Sequence, residues 1–334
     1  MLSSSGYSID PHGRTQLRRS NRPIIIASRK SQLARVQAES IGAALSKRHP
    51  KVEVQFQWIE SEGDQKLDVP LVDSGGKGLF AKAVERALIQ EQADIAVHSL
   101  KDLPVGDTPG LMLAAIPKRE DPRDCLITRN GESSLAQLNG GAIFGTASPR
   151  RAAQVKSIRP DLRIELIRGN VQTRLRKIQD LIPGGPMYAA SLMAVSGLKR
   201  AGLSQHTQYI LDPDVILPAA SQGALALQCR SSDHVTIRRL LPLNHATTAQ
   251  AVELERQVVA GLQGDCHSPI AALAQPIEEA GKAGFRLRAK VFSPDGSNSV
   301  QADERASRSK LRRLGKNVLK KLLDQGARQL LKHK

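Results

Sequence analysis

The stretch His98-Ser99-Leu100-Lys101-Asp102-Leu103-Pro104 follows a short predicted strand, so its polar side chains sit at a strand's carboxyl end, where open α/β sheets hold their ligands. A carboxylate kept among cations, as in Lys101-Asp102, can stabilise positive charge developing on a substrate and relay a proton to a leaving amine. The plainer reading of the same dipeptide is a surface ion pair. Cations recur in comparable places: Arg29-Lys30-Ser31, Arg150-Arg151, Arg168-Gly169-Asn170 with Thr173-Arg174, and Lys199-Arg200 each follow a predicted strand or open a predicted helix. Their charges would converge on one rim. Because a guanidinium fork takes a carboxylate in a bidentate way, such a rim suits a ligand carrying many carboxylates, although each residue alone also reads as solvated.

Gly75-Gly76-Lys77-Gly78-Leu79-Phe80 places three glycines and a lysine ahead of a predicted helix, where free backbone N–H groups and an ammonium can hold an anion. The spacing is not that of a P-loop, and an ordinary turn is the alternative. In Leu262-Gln263-Gly264-Asp265-Cys266-His267-Ser268-Pro269 a cysteine sits in a turn between a helix and a strand. A thiolate there could carry a covalent group, with His267 or nearby cations lowering its pKa; a structural cysteine is the competing reading. Cys229 and Cys125 fall in apolar strands and read as core. Three scattered cysteines with no CxxC or Cys/His spacing suggest neither a disulfide framework nor a zinc site, and imply a reducing, cytoplasmic compartment.

The elements that must position these groups alternate. Ile24 to Ala27 reads as a strand running into a helix that starts near Ser28, with Leu33, Gln37, Ile41 and Leu45 on one side. Val52, Val54, Phe56 and Trp58 alternate with polar residues, as in a strand with one buried face. Phe80, Val84, Ala87 and Leu88 repeat at helical spacing before a strand over 94–98. A second βαβ unit begins at Ala142 and enters a helix through Ser148-Pro149, where Ser caps and Pro fits the first turn. Further strands are predicted at 163–167 and 188–195. Pro117 to Arg123 and Ile216 to Gly223 read as two crossings between α/β units, hence as hinges flanking a cleft. Beyond about Pro242 the pattern becomes a helix over 248–262, a strand over 270–274, a strand with Phe285, Leu287, Ala289 and Val291 facing in, and a basic terminal helix.

The 334 residues, 40% hydrophobic, suffice for two to three domains, and the longest apolar runs are far short of the roughly 20 residues that span a bilayer. Residues 1–22, rich in Ser and Arg and lacking hydrophobic periodicity, read as a disordered tail rather than a transit peptide. The net charge of +17 points to an anionic partner. With 3% aromatics and no interleaving of aromatics with Lys/Arg, the stacking platforms of single-strand nucleic-acid binding are missing, and a cleft for a polycarboxylate fits as well.

The ordered set Arg29-x-Ser31-x-Leu33-Ala34, Gly75 to Phe80, His98 to Pro104, Glu120-Asp121-Pro122-Arg123-Asp124, Arg150-Arg151, Arg168-Gly169-Asn170, Thr173-Arg174-Leu175, Gly197-Leu198-Lys199-Arg200, Gln222-Gly223-Ala224 and Cys266 resembles the hydroxymethylbilane synthase (porphobilinogen deaminase) family from about Ile24 to the C-terminus. The resemblance implies two α/β lobes like those of type 2 periplasmic binding proteins, the second inserted into the first, and a smaller α+β domain carrying the cofactor cysteine. The bounds it suggests are 23–118 with 222–243, then 122–217, then 246–334. It implies a transferase of tetrapyrrole (haem) biosynthesis that joins four porphobilinogen molecules head to tail with loss of ammonia, on a dipyrromethane cofactor attached by a thioether to Cys266, and then releases hydroxymethylbilane. Asp102 would be the catalytic acid/base. Lys101, Ser148, Arg150, Arg151, Arg168, Gly169, Asn170, Arg174 and Arg200 would hold the cofactor, and Arg29, Ser31, Lys77, Phe80 and Gln222 the substrate. The family implies a monomer, with no metal, nucleic acid or membrane as partner.

This chain departs from the family pattern at four places. Asp73 stands where a lysine is frequent, Ser221 where a glycine is usual, Asp265 where a glycine commonly precedes the cysteine, and Ala189-Ala190-Ser191 where Asp-Ala-Ile is more usual. A secreted two-lobe binding protein for polycarboxylates, or a basic nucleic-acid binder, are the readings from other classes. The first gives no reason for the Cys266 domain, and the second requires salt-dependent binding to generic DNA.

Overall fold

Three consecutive isoleucines open β3 (Ile24–Arg29), and their β-branched side chains fill both sides of a central strand. The computed structural model describes residues 7–9, 15–17, 22–60, 79–180, 185–265, 267–279 and 281–332. β3 runs parallel to β4 (Val54–Ile59) and to β5 (Ile95–Ser99), with α1 (Gln32–Arg48) and α2 (Leu79–Ile89) completing two βαβ units. β6 (Leu111–Ala115) ends this stretch, and the chain then crosses into a second sheet.

There β7 (Asp124–Thr128) runs antiparallel to β10 (Tyr188–Ala194) and β11 (Tyr209–Ile210). β8 (Ile143–Gly145) is parallel to β10 and to β9 (Arg163–Glu165). Helices α3 (Pro149–Ile158), α4 (Val171–Gln179) and α5 (Val195–Arg200) connect them. The chain then returns to the first sheet, where β12 (Leu225–Arg230) is inserted antiparallel between β5 and β6. The two strand orders, β4-β3-β5-β12-β6 and β9-β8-β10-β7-β11, are the same pattern written twice. In each, the antiparallel strand is the first one made after a crossing. This is the two-lobe arrangement that the resemblance implies, and the crossings fall on the Pro/Gly-rich segments read as hinges.

After α6 (His234–Leu240) comes α7 (Ala246–Gly261), which packs on the antiparallel sheet β13 (Ile270–Glu279), β14 (Lys282–Phe292) and β15 (Ser299–Ser307). Phe285, Leu287, Ala289 and Val291 are buried on one face of β14 against Leu314, Val318 and Leu322 of α8 (Leu311–Asp324), as the alternation predicts; α9 (Ala327–Lys332) follows. Glu255, fully buried in α7, joins this domain to both crossings. It pairs with Arg119 at 2.6 Å and accepts from the backbone N–H groups of Ser221 (2.6 Å) and Ala274 (2.8 Å).

Three local expectations are corrected. The first helix starts at Gln32, not near Ser28: β3 continues to Arg29 and the Ser31 hydroxyl caps the helix by accepting from the Ala34 N–H. β4 is an edge strand, so its apolar face is only half-covered, and Phe56, 36% exposed, stacks on Trp58 with centroids 5.3 Å apart. Within the supposed tail, β1 (Tyr7–Ile9) and β2 (Thr15–Leu17) form a two-stranded antiparallel ribbon, a main-chain pairing that hydrophobic periodicity does not report. Arg22 pairs with buried Asp94 at 2.6 Å; the rest of residues 1–21 lies outside those described. No described helix is long and apolar enough to cross a membrane.

Candidate active site

Asp102 is held by a turn whose apolar residues face inward. β5 ends at Ser99 and enters one 3-10 turn, Leu100–Asp102; Leu100 and Leu103 are buried, and the Leu100 N–H donates to the Ala224 carbonyl of the incoming crossing. With the two leucines anchored, Lys101 is left half-buried and Asp102 exposed at the strand's carboxyl end. A pocket of about 90 Å3 beside the turn is lined by Arg29, Ser31, Gln37, His98, Ser99 and Asp102, among others. Gln37 and Ser99 bond to each other across it at 3.0 Å.

The opposing wall belongs to the second lobe. Arg150 and Arg151 open α3, which Ser148 caps through its hydroxyl, and two cations at the positive end of a helix repel its dipole. Asp124 offsets this: each of its oxygens accepts from one arginine at 2.7 Å. Burial alone would raise the Asp124 carboxyl, but Arg150 and Arg151 hold it well below the usual carboxylate range. Gln222 ties the lobes together. Its amide N–H donates to Asp124 (2.9 Å) and to the Pro122 carbonyl (2.7 Å), while its oxygen accepts from Lys101 Nζ at 3.4 Å.

The remaining cations lack a full set of counterions. Burial, opposed by Asp102 and reinforced by Arg151, pushes the Lys101 amine down to about 8. Burial and Arg151 together push the Arg174 guanidinium down to about 10, against the pull of Asp102. Both shifts place Lys101, Arg151 and Arg174 within one another's fields, with Asp102 among them. Among the described residues, four cations, Lys101, Arg150, Arg151 and Arg174, share two carboxylates, Asp102 and Asp124, and the buried Nε–H groups of Arg150, Arg151 and Arg174 meet no acceptor. A buried donor without an acceptor is costly, so this surplus fits a ligand that brings several carboxylates. The dipyrromethane expected from sequence is such a group.

Other sequence-predicted residues serve the frame around this cluster. Asn170 caps α4 by accepting from the Thr173 N–H at 2.8 Å. Gly169 has φ +115°, and a Cβ there would meet Thr173 at 2.6 Å, so only glycine fits. Arg168 is half-buried between β9 and α4. Arg200 ends α5, rather than opening a helix as expected, and donates to the Gly223 carbonyl of the crossing at 2.6 Å, with the Glu120 charge opposing the effect of its burial. Lys77 and Cys266 lie outside the described residues, as does the Phe80 side chain. Beside Cys266, the Asp265 carboxylate accepts from the His267 N–H (3.0 Å) and the Ser268 hydroxyl (2.9 Å).

Sequence reading gave no site role to Asp124, named only within the Glu120 to Asp124 motif, to Gln37, named only on a helix face, or to Arg119 and Glu255. Asp124 could have been found by asking what neutralises adjacent arginines at a helix N-terminus, since it opens an otherwise apolar strand. Arg119 and Glu255, 136 residues apart, left no such signal.

An α/β lobe inserted into another, a cluster of buried cations and a third domain bolted to both crossings fit an enzyme that handles a polyanion. Residues 24–238 match the family model described as porphobilinogen deaminase, dipyromethane cofactor binding domain, and residues 249–324 match the one described as porphobilinogen deaminase, C-terminal domain. A porphobilinogen deaminase from Ralstonia nicotianae is 44% identical over 311 residues, which span 92% of this chain and 90% of that protein. Among solved structures, the second substrate binding domain of a putative amino acid ABC transporter from Streptococcus pneumoniae Canada MDR_19A aligns over 72% of this chain and 98% of its own, at 15% identity and a TM-score of 0.42. A YaeC-family lipoprotein from Enterococcus faecalis V583 aligns over 68% and 93%, at 13% identity and a TM-score of 0.38. The chain belongs to the porphobilinogen deaminase family. Its activity is that of a hydroxymethylbilane synthase, a transferase of tetrapyrrole biosynthesis, and its cofactor is dipyrromethane.

Proposed function

We propose that porphobilinogen is processed in the pocket beside Asp102, and that Cys266 anchors the dipyrromethane. When bound, that cofactor supplies the pyrrole carbon to which the first substrate unit is joined. The Asp102 carboxylate accepts a hydrogen bond from the protonated aminomethyl group, whose C–N bond breaks so that ammonia leaves with its three protons. Its carboxylate then faces the positive charge left on the substrate pyrrole, and afterwards takes up the proton lost when the new C–C bond forms. The observation that carries this reading is the position of Asp102, at the edge of a small pocket and within the field of Lys101 and Arg174.

Lys101, Arg150, Arg151, Arg168, Arg174 and Arg200 hold acetate and propionate groups of the cofactor and the growing chain. The N-terminal turns of α3 and α4, capped by Ser148 and Asn170 with Gly169 ahead, add backbone N–H donors. Arg29, Ser31, Lys77, Phe80 and Gln222 bind the incoming substrate. Residues 23–118 with 222–243 act as one domain, 122–217 as a second and 246–334 as a third. The enzyme works as a monomer in the cytoplasm; the compartment is supported by the free thiols of Cys125 and Cys229, which burial pushes up to about 11.

Asp102→Asn tests the central role. It should keep the fold and the attached cofactor while losing turnover by about 100-fold or more, the usual worth of a general acid/base. Turnover near the wild-type rate would remove Asp102 from the chemistry. Intact mass spectrometry of the same preparations should show an added dipyrrole mass that disappears in Cys266→Ser.

A further inference from the structure

His98 belongs to a hydrogen-bond chain that fixes which of its ring nitrogens carries the proton. It lies on β5, four residues ahead of Asp102. Glu85 of α2 accepts at Oε1 from the Thr108 hydroxyl (2.9 Å) and from Gln228 Nε2 (2.9 Å). With its amide N–H committed to a carboxylate, Gln228 turns its oxygen to His98 Nε2, 2.9 Å away. Turning the amide over would set that oxygen against Glu85 and break both bonds, so the orientation is determined by charge. His98 must therefore donate from Nε2, which leaves the lone pair on Nδ1.

The ring is also kept neutral. Burial pushes the His98 imidazole down, outweighing the Gln228 bond and the Glu85 charge, which act the other way. No donor among the described residues reaches Nδ1, yet His98 lines the pocket that holds Arg29, Ser31, Ser99 and Asp102. A pocket acceptor without a protein donor is completed by a donor on the ligand. Porphobilinogen has two kinds of N–H donor, the pyrrole and the protonated aminomethyl group, and its two carboxylates suit the arginine and serine side instead. Gln37 and Ser99 are bonded to each other, which leaves Asp102 and His98 Nδ1 as the side-chain acceptors of the pocket that take no bond from a donor among the described residues.

We propose that His98 is a substrate-binding residue whose Nδ1 accepts a hydrogen bond from an N–H of porphobilinogen in the Asp102 pocket. This inference rests on the reading that the pocket takes porphobilinogen. It adds a fixed acceptor that orients the substrate, at a residue whose plain reading is a satisfied core histidine.

Two isosteric substitutions in the cofactor-loaded enzyme separate the roles. Gln extends to the Nε2 position and can keep the donation to Gln228, but offers nothing at Nδ1. Asn reaches only the Nδ1 position, so it keeps an acceptor there and loses the tie to Gln228. His98→Gln should raise KM about tenfold, the loss of roughly 1.4 kcal/mol expected for one hydrogen bond, with its unfolding midpoint near that of the wild type. His98→Asn should show the reverse, a lower midpoint with KM within about threefold. Any other order, including equal rises in KM or none, makes His98 purely structural and overturns the proposal.

A second readout does not depend on turnover. In 15N-histidine-labelled protein carrying Asp102→Asn, the His98 Nδ1 resonance should lie in the unprotonated range and move when porphobilinogen is added. A protonated-type Nδ1, or one that ignores substrate, overturns the proposal. The same shift with an analogue lacking the aminomethyl group assigns the donor to the pyrrole; its loss assigns the donor to the ammonium. If Asp102→Asn proves fully active, the pocket reading itself fails, whatever His98 does.

Discussion

Lys101 is the residue whose environment is least complete without a ligand. Its amine, pushed down to about 8 from an ordinary 10.5, is harder to protonate in the folded chain than in the unfolded one. The unfolded state therefore binds more protons between about 8 and 10.5, and stability contributed at this site rises with pH across that window. Below about 8 both states are protonated and the folded protein carries the full cost of an under-compensated charge. In a cofactor-free Cys266→Ala background, Lys101→Met should raise the melting temperature at pH 7, with the difference shrinking towards zero as the pH approaches 10.5. In cofactor-loaded protein, carboxylates of the bound group offset the charge and the pH 7 gain should disappear. Paired thermal scans at the two pH values check this, and an equal gain at both would show that Lys101 is not under strain. Asp102, Arg150 and Arg151 were legible in the sequence because they sit at a strand end or a helix start, whereas Lys199-Arg200 closes a helix instead of opening one. Asp124 was not, because its role is set by two arginines 26 and 27 residues further on and by Gln222, 98 residues away.

Among the elements, the return crossing is the one where the departures from the family pattern acquire a physical meaning. Ser221 has φ +63°, a left-handed conformation that favours glycine, and its buried hydroxyl meets no partner among the described residues. The backbone N–H of the same residue is held by Glu255 at 2.6 Å, so the conformation is imposed from outside. Ser221→Gly should stabilise the protein by about 0.5–1 kcal/mol, because relief of the strained φ outweighs the added freedom of glycine in the unfolded chain. A urea midpoint at or below that of the wild type would contradict this. Apolar periodicity located the strands and helices well, down to the inward face of β14, whereas their ends shifted. Ser31 could have capped a helix or continued a strand, and the choice follows from parallel pairing of β3 through Arg29 with Ile59, a partner 30 residues on. Asp265, another of the departures, spends its carboxylate on closing the turn after it.

Over the whole molecule, Glu255 gathers the outward crossing, the return crossing and the C-terminal sheet on a single carboxylate. Glu255→Gln leaves Arg119, 10% exposed, without its counterion, which should cost about 3–5 kcal/mol. The added expectation is local: limited proteolysis should speed up within residues 117–123 and 216–223, the segments that Glu255 holds. A variant equally destabilised but cut no faster there would assign Glu255 to general stability alone. The two crossings were legible as Pro/Gly-rich segments, but not that each delivers an antiparallel strand to the interior of the other sheet. That insertion bears on how the chain is made. The second lobe is contiguous, and its last strand, Tyr209–Ile210, precedes β12, so it can close while synthesis continues. The first lobe cannot, because β12 at Leu225–Arg230 is the only neighbour of β6 and the bridge between β6 and β5. At roughly 5–20 residues per second, β6 waits on the order of ten seconds on the ribosome for its partner. During that interval the nascent protein presents an open sheet edge at the lobe that will hold Asp102, and the lobe made later folds first.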